Sequence, residues 1–167
     1  MNPAKKKILV TGVSSFVGCH LARGFSQKSE WEVLPTGSKN PEDYKKHRAR
    51  RIKFGGLKND WSVLNLKDEP GIKQFIRKSQ PDIWIHHAGY ATSYASLDYD
   101  TREGLETNVA PLKYIFKNLS ENGCKGVVVT GSSMEYPATN KPCLESDACL
   151  PDTPYGQSKL NETLASI

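Results

Sequence analysis

The chain is short of several features, and each shortage narrows what it can be. No apolar run among its 167 residues approaches the roughly 18 needed to cross a bilayer. Ile8-Leu9-Val10, which follows Lys5, Lys6 and Lys7, stops at Thr11-Gly12; that is too short for the apolar segment of a secretion signal and suits a buried strand. Cysteine is sparse. Cys19, Cys124, Cys143 and Cys149 form no CxxC pair and no metal-ligand spacing with the four histidines, so no metal is expected. Without a secretion signal they read as reduced thiols of a cytoplasmic protein. There are no internal repeats and no low-complexity linker, and the glycine-rich stretch near the start is not followed by Gly-Lys-Ser/Thr, which disfavours a mononucleotide P-loop.

What is present is ordinary for one globular domain over residues 1–167: 37% hydrophobic and 25% charged residues. The net charge of +5 is concentrated in "KKHRARRIK", residues 45–53. No aromatic residue is interleaved there for base stacking, so the run reads as a solvated helix face and loop, and neither a nucleic-acid nor a membrane partner is expected. The rival reading, a nucleic-acid binder, predicts affinity that falls steeply with salt.

Short β-branched runs alternate with helical patterns. Strands are predicted at 7–11, 32–36, 61–64 (with an alternative start near Ile52), 82–86 and 126–130, the first, fourth and fifth apolar enough to be buried on both faces. Val17, Leu21 and Phe25 predict one helical stripe. Asn40-Pro41-Glu42-Asp43 reads as the start of a second helix. Asp68 is placed to cap a third with Ile72, Phe75 and Ile76 inward. Leu105, Val109, Leu112, Phe116 and Leu119 mark a fourth, kinked or begun at Pro111. Thr153-Pro154 opens a last one with Leu160 and Leu164 inward. Strand–helix alternation predicts right-handed βαβ units in a doubly wound, Rossmann-like parallel sheet with three α/β/α layers.

"VTGVSSFVG", residues 10–18, lies between the first strand and the first helix. Gly12 permits a sharp turn, Gly18 lets the helix pack closely, and the helix-start amides along Ser14, Ser15, Phe16 and Val17 suit a pyrophosphate. Ser15 stands where such loops carry a middle glycine; it adds a Cβ, and also a hydroxyl able to bond a phosphate oxygen. The acid that NAD sites place some 20 residues later is missing. The second strand ends instead in Thr36, Ser38 and Lys39, a hydroxyl and cation set that suits a 2′-phosphate, so NADP is expected, with NAD the alternative.

Further on, "VVVTGSSMEYP" puts Ser132 just past the fifth strand, at the end of the sheet where ligands bind. "TPYGQSK" puts Tyr155 and Lys159 four apart on one helix face. A tyrosine of pKa near 10 is a poor base at neutral pH, and a nearby ammonium is expected to lower it.

Taken in order, "VTGVSSFVG", "NLKD" (65–68), "PDIWIHHAG" (81–89), "TNV" (107–109), "GSSMEY" (131–136) and "PYGQSK" (154–159) resemble the extended short-chain dehydrogenases/reductases, the nucleotide-sugar epimerases, dehydratases and reductases. "TGSKN" together with "GSSMEY" is most similar to the reductases of GDP-4-keto-6-deoxy sugars. The resemblance implies that Asn65 and Leu66 contact the adenine, and that His87, Ala88 and Gly89 line the cofactor's path. It implies that Asn108 supports the nicotinamide half. Ser132, Tyr155 and Lys159 would be the catalytic trio, Lys159 also holding the nicotinamide ribose. It further implies a nucleotide-sugar substrate, a carboxyl-terminal substrate domain missing from these 167 residues, and a homodimer through helices near 104–121 and 154–167, with Leu112, Phe116, Leu160 and Leu164 on the contact faces. The competing reading is a non-catalytic dinucleotide-binding module or inactive fragment.

Overall fold

The structure, a computed structural model, describes residues 4–56 and 60–167. Its elements are β1 (Lys6–Val10), α1 (Phe16–Ser26), β2 (Trp31–Gly37), a 3-10 turn (Pro41–Asp43), α2 (Lys46–Gly55), β3 (Ser62–Val63), α3 (Glu69–Ser79), β4 (Ile83–His86), α4 (Thr101–Gly104), a π-helical turn (Leu105–Val109), α5 (Ala110–Glu121), β5 (Gly126–Val129), a second 3-10 turn (Ser133–Glu135) and α6 (Pro154–Ala165). The strand order is β3-β2-β1-β4-β5, and the pairs of β1 with β2, β1 with β4 and β2 with β3 are parallel. The chain divides into two compact units, Met1–Ala88 with Tyr114–Val128, and Gly89–Lys113 with Val129–Ile167.

In the first unit the two-residue period of β1 splits the core. Leu9 faces one side with Trp84, where Ile72 and Ile76 of α3 and Ile115 and Leu119 of α5 close over it. Ile8 and Val10 face the other with Val33 and Ile85, under Ala22, Leu21 and Phe25 of α1. Helices thus cover both faces, which is the three-layer α/β/α arrangement. Each fully buried Ile or Leu contributes about 1.5–3 kcal/mol, and Ile8, Leu9, Ile72, Ile76, Ile115 and Leu119 are all at or below 1% exposed. Asp68 caps α3 by accepting from the Gly71 N–H at 3.1 Å, as its position predicts.

Several expectations are corrected. β3 is two residues long and does not begin near Ile52, which lies buried in α2; residues 57–59 of that longer alternative fall outside the described residues. Asn40-Pro41 opens only a 3-10 turn, and the helix starts at Lys46 because the backbone at Tyr44 and Lys45 is extended. Of the predicted α1 stripe, Leu21 and Phe25 pack on the core but Val17 is 47% exposed, and Gly18, Cys19 and Ala22 are the residues α1 buries fully. β5 is apolar but is an outer strand of the sheet, leaving Val127 and Val128 exposed rather than buried on both faces.

In the second unit, Pro111 sits just inside α5, directly after the π-helical turn. Proline has no N–H and its ring crowds the carbonyl four residues back. The wider turn, in which the Ala110 N–H reaches back to the Leu105 carbonyl, relieves that crowding without breaking the helix. Thr153 caps α6 by accepting from the Gly156 N–H. The face α6 buries is not the predicted leucine stripe: Leu164 is 61% exposed, while Gly156, Ser158, Lys159 and Glu162 are buried. Leu112 is 1% exposed within the chain itself, which removes it from the expected dimer face.

Candidate active site

The first unit shapes the glycine loop almost wholly with backbone. Gly12 has φ +70°, and a Cβ there would meet the Ala88 Cα at 2.9 Å. A Cβ on Gly18 would collide with the Gly12 carbonyl. Only glycine fits either position, so α1 starts pressed against the turn that ends β1. Thr11 joins that turn to the end of β4: its hydroxyl donates to the Ile85 carbonyl at 3.1 Å and accepts from the His87 and Ala88 N–H groups at 2.8 Å each. Ser15 is the N-cap of α1, accepting from the Gly18 N–H at 2.9 Å, and it also meets His87 Nε2 at 2.9 Å. Its hydroxyl therefore already serves the helix and the histidine. Phe16 and Val17 are exposed in the first turn of α1, where N–H groups have no acceptor within the helix.

Beyond β2, Ser38 and Lys39 are exposed and framed by two aromatic side chains. The Lys39 N–H donates to the Tyr44 hydroxyl at 3.2 Å, the Trp61 indole donates to the Lys39 carbonyl at 2.9 Å, and Ser38 Oγ lies 3.4 Å from the Tyr44 hydroxyl. Thr36 is apart from this set: it is 1% exposed and its hydroxyl donates to the Val10 carbonyl, tying β2 to β1. From α2, Arg48 donates to Ser14 Oγ at 3.1 Å, which brings a guanidinium from the basic run onto the glycine loop. After β3, Asn65 is exposed, with its side-chain oxygen accepting from the Lys67 N–H. Leu66 is buried in the core, and its carbonyl accepts from the Tyr114 hydroxyl.

The second unit is built from side chains. Asn108 is fully buried in the π-helical turn; its Oδ1 accepts from the Tyr90 N–H at 2.7 Å and its Nδ2 donates to the Tyr90 carbonyl and to Ser158 Oγ. A Cβ on Gly89 would meet the same Asn108 oxygen at 2.9 Å. Tyr99 donates to Ser158 Oγ and packs edge-on against the Tyr155 ring, as does Tyr94. Ser132 forms a capping box with Glu135, whose carboxylate accepts from the Ser132 N–H at 2.6 Å and from the Thr163 hydroxyl at 2.8 Å.

Lys159 donates to the Thr130 carbonyl at 2.8 Å and to Glu162 Oε2 at 2.5 Å, with the two side chains only 10% and 2% exposed. Burial pushes the Glu162 carboxyl up from its ordinary range, and Lys159 pulls it back in part. The Tyr155 phenol is raised, not lowered as expected. Burial is the main cause and the Glu162 charge the next; Tyr99 and Glu135 add to it, and the Ser132 hydroxyl works the other way. Lys159 is not among the groups that shift the phenol, and its ammonium is in contact with the Glu162 carboxylate.

Three residues here escape a reading by sequence alone. Glu162 follows Lys159 by three and Tyr155 by seven, a helical spacing that puts all three on one face. Glu135 stands three after Ser132, the signature of a capping box. Arg48 has no such signal, since it is one of several cations in a run and only the packing of α2 selects it.

A five-stranded parallel sheet in the order β3-β2-β1-β4-β5, with a glycine turn leaving β1 for the first helix, defines a Rossmann-like dinucleotide-binding fold. The sequence model of the NAD-dependent epimerase/dehydratase family matches residues 8–164, and the chain belongs to that family, whose fold is that of the extended short-chain dehydrogenases/reductases. It is 25% identical over 163 residues to the UDP-glucose 4-epimerase of Pisum sativum, covering 96% of this chain and 46% of that protein. It is 26% identical over 166 residues to the dTDP-4-dehydro-6-deoxyglucose reductase of Escherichia coli, covering 96% and 49%. Among solved structures, the UDP-glucuronic acid 4-epimerase of Bacillus cereus in complex with UDP-glucuronic acid and NAD is similar with a TM-score of 0.79 at 18% identity, over 95% of this chain and 50% of that one. This chain spans about half the length of the curated relatives it matches.

Proposed function

We propose that residues 1–167 form the NAD(P)-binding, acid/base-bearing part of a nucleotide-sugar oxidoreductase that reduces a keto-sugar with NADPH, epimerase or dehydratase chemistry being the near alternative. The observation that carries this reading is the Ser132 hydroxyl acting on the half-buried Tyr155 phenol in the unit that also buries Lys159. Tyr155 would exchange a proton with the substrate oxygen, and Ser132, whose oxygen accepts at its cap and whose hydrogen is left to donate, would orient that oxygen. Lys159 would hold the nicotinamide ribose and steady the phenolate once formed.

The glycine loop fits a dinucleotide. Gly12 and Gly18 leave no space for a Cβ, so the turn after β1 packs against Ala88 and the start of α1 against that turn, and the first-turn amides of α1 favour a pyrophosphate. Ser14, Ser15, Phe16 and Val17 would border it, with His87, Ala88, Gly89 and Asn108 along the rest of the path and Asn65 and Leu66 toward the adenine. When bound, the nicotinamide supplies the hydride. Ser38, Lys39 and Arg48 favour a 2′-phosphate, because an exposed hydroxyl, an ammonium and a guanidinium suit a dianion and none is an acid. We further assign the protein to the cytoplasm and to a homodimer through the helices near 104–121 and 154–167, with Leu164 exposed on the latter.

The test is turnover of a nucleoside-diphosphate 4-keto-6-deoxyhexose with NADPH, abolished by Tyr155→Phe. NADPH binding without turnover across a panel of keto-sugar nucleotides would instead favour a non-catalytic dinucleotide-binding module. Arg48→Ala should weaken NADP(H) about tenfold or more and leave NAD(H) little changed; equal loss for both would remove the 2′-phosphate assignment.

A further inference from the structure

α6 buries a charged strip where an apolar one was expected, and one member of that strip has no part in the reaction just proposed. Glu162 is 1% exposed, and a carboxylate carried to such a position without a partner would be strongly disfavoured. One of its partners is Lys159, at 2.5 Å, and the ammonium's second hydrogen bond goes to the Thr130 carbonyl. Two of the lysine's three N–H directions are thereby set by groups of the protein.

An ion pair in contact acts on a third group as a dipole, whose field falls off faster than that of a single charge. The groups that act on the Tyr155 phenol are Glu162 on its own helix, Glu135 and Ser132 from the 3-10 turn and its cap, and Tyr99 from the loop before α4; the Tyr94 ring packs beside it. Among the groups that face Glu162 are Lys159 and Glu135.

We propose that Glu162 is a positioning residue of the Tyr155 site: its carboxylate fixes the Lys159 ammonium against the Thr130 carbonyl and offsets the lysine's charge at the phenol. The phenol is then held protonated in the resting protein, and the lysine is presented through its remaining N–H direction. This rests on Tyr155 being the acid/base group, but its test needs neither cofactor nor substrate.

A fluorotyrosine placed at position 155, more acidic than tyrosine and thus titrating while the fold is intact, is followed by fluorine NMR in the intact chain. Glu162→Gln should lower its midpoint by about one unit or more, and Lys159→Met should raise it by a similar amount. The Lys159→Met/Glu162→Gln double variant, which buries no lone charge, should return it to within about 0.3 units of the parent, as a charge-cancelling pair requires. An unmoved or raised midpoint in Glu162→Gln overturns the proposal. If a single variant fails to fold, the double variant decides alone: a midpoint displaced by about a unit in either direction overturns it. The pattern appearing in a chain that turns over no keto-sugar would leave this inference standing and sink the proposed reaction. Tyr155-dependent turnover with no titration shift in Glu162→Gln would do the reverse.

Discussion

In the unit that carries the glycine loop, the groups offered to a ligand are main-chain amides, and what holds them is the sheet, two glycines and the Thr11 hydroxyl. In the unit that carries Tyr155, the groups are side chains, held by other buried side chains: Asn108 on Tyr90, Tyr99 on Ser158, Glu162 on Lys159, Glu135 on Ser132. A backbone cradle depends on shape and tolerates most chemistry around it. A side-chain network depends on charge balance, since any member removed leaves a buried polar group or ion unpaired. The first unit should therefore break by steric insertion and the second by neutralisation.

The largest effect is expected in the second unit. Lys159→Met leaves Glu162 buried without its cation and should cost about 3–5 kcal/mol, whereas the Lys159→Met/Glu162→Gln pair should recover most of it; urea denaturation followed by far-UV circular dichroism measures both. A double variant as unstable as the single would mean that packing, not charge balance, governs this unit.

Gly18→Ala comes next, at about 1–3 kcal/mol, from the collision with the Gly12 carbonyl. Trp31, Trp61 and Trp84 all belong to the first unit, so tryptophan fluorescence reports that unit selectively. Gly18→Ala should move the tryptophan-detected transition and abolish NADPH binding. Retention of tight NADPH binding would deny that the close approach of α1 is what shapes the loop.

The units should also differ in pH response. Tyr99 and Tyr155 in the second unit have raised phenol pKa values, burial being the main cause in both. A raised folded value means the folded form keeps its proton longer, so the associated stability is full below the unfolded value near 10 and is lost as pH climbs through the folded values. In the first unit the Lys125 ammonium, with the Lys7 N–H, holds the Asp82 carboxyl below its usual range. Its contribution is present above about 3.9 and disappears as pH falls through the lower folded value. The acid limb of a tryptophan-detected stability profile should therefore flatten in Asp82→Asn. At neutral pH that change should cost under about 1 kcal/mol, because Lys125 is 66% exposed. An unchanged acid limb would show that the Asp82 pair contributes nothing there.

Much of the first unit is legible in the order of its residues. β1, β2 and β4 follow from short β-branched runs, α3 from Asp68 and its apolar spacing, and the turn at Gly12 and Gly18 from the strand–glycine–helix order. Phases and ends are less legible. Val17 keeps to a helical period yet is exposed, because the side of α1 that is buried carries Gly18, Cys19 and Ala22. Asn40-Pro41 carries every helix-start signal, and the chain stays extended for two residues after its 3-10 turn. In the second unit the leucine spacing misleads, since Leu164 is exposed and the inward face of α6 is polar.

What the sequence by itself determined is local: which runs are strands, where Asp68 and Thr153 cap helices, that glycine must stand at 12 and 18, and that Tyr155 and Lys159 share a helix face. These depend on backbone period and on contacts a few residues apart, which the order of residues specifies directly. Tertiary structure decided which cation of the basic run reaches Ser14, that β5 lies outermost with Val127 and Val128 uncovered, and in which direction the Tyr155 phenol shifts. Those outcomes turn on desolvation and on the distance between charges, and both are properties of the packed molecule rather than of any stretch of chain.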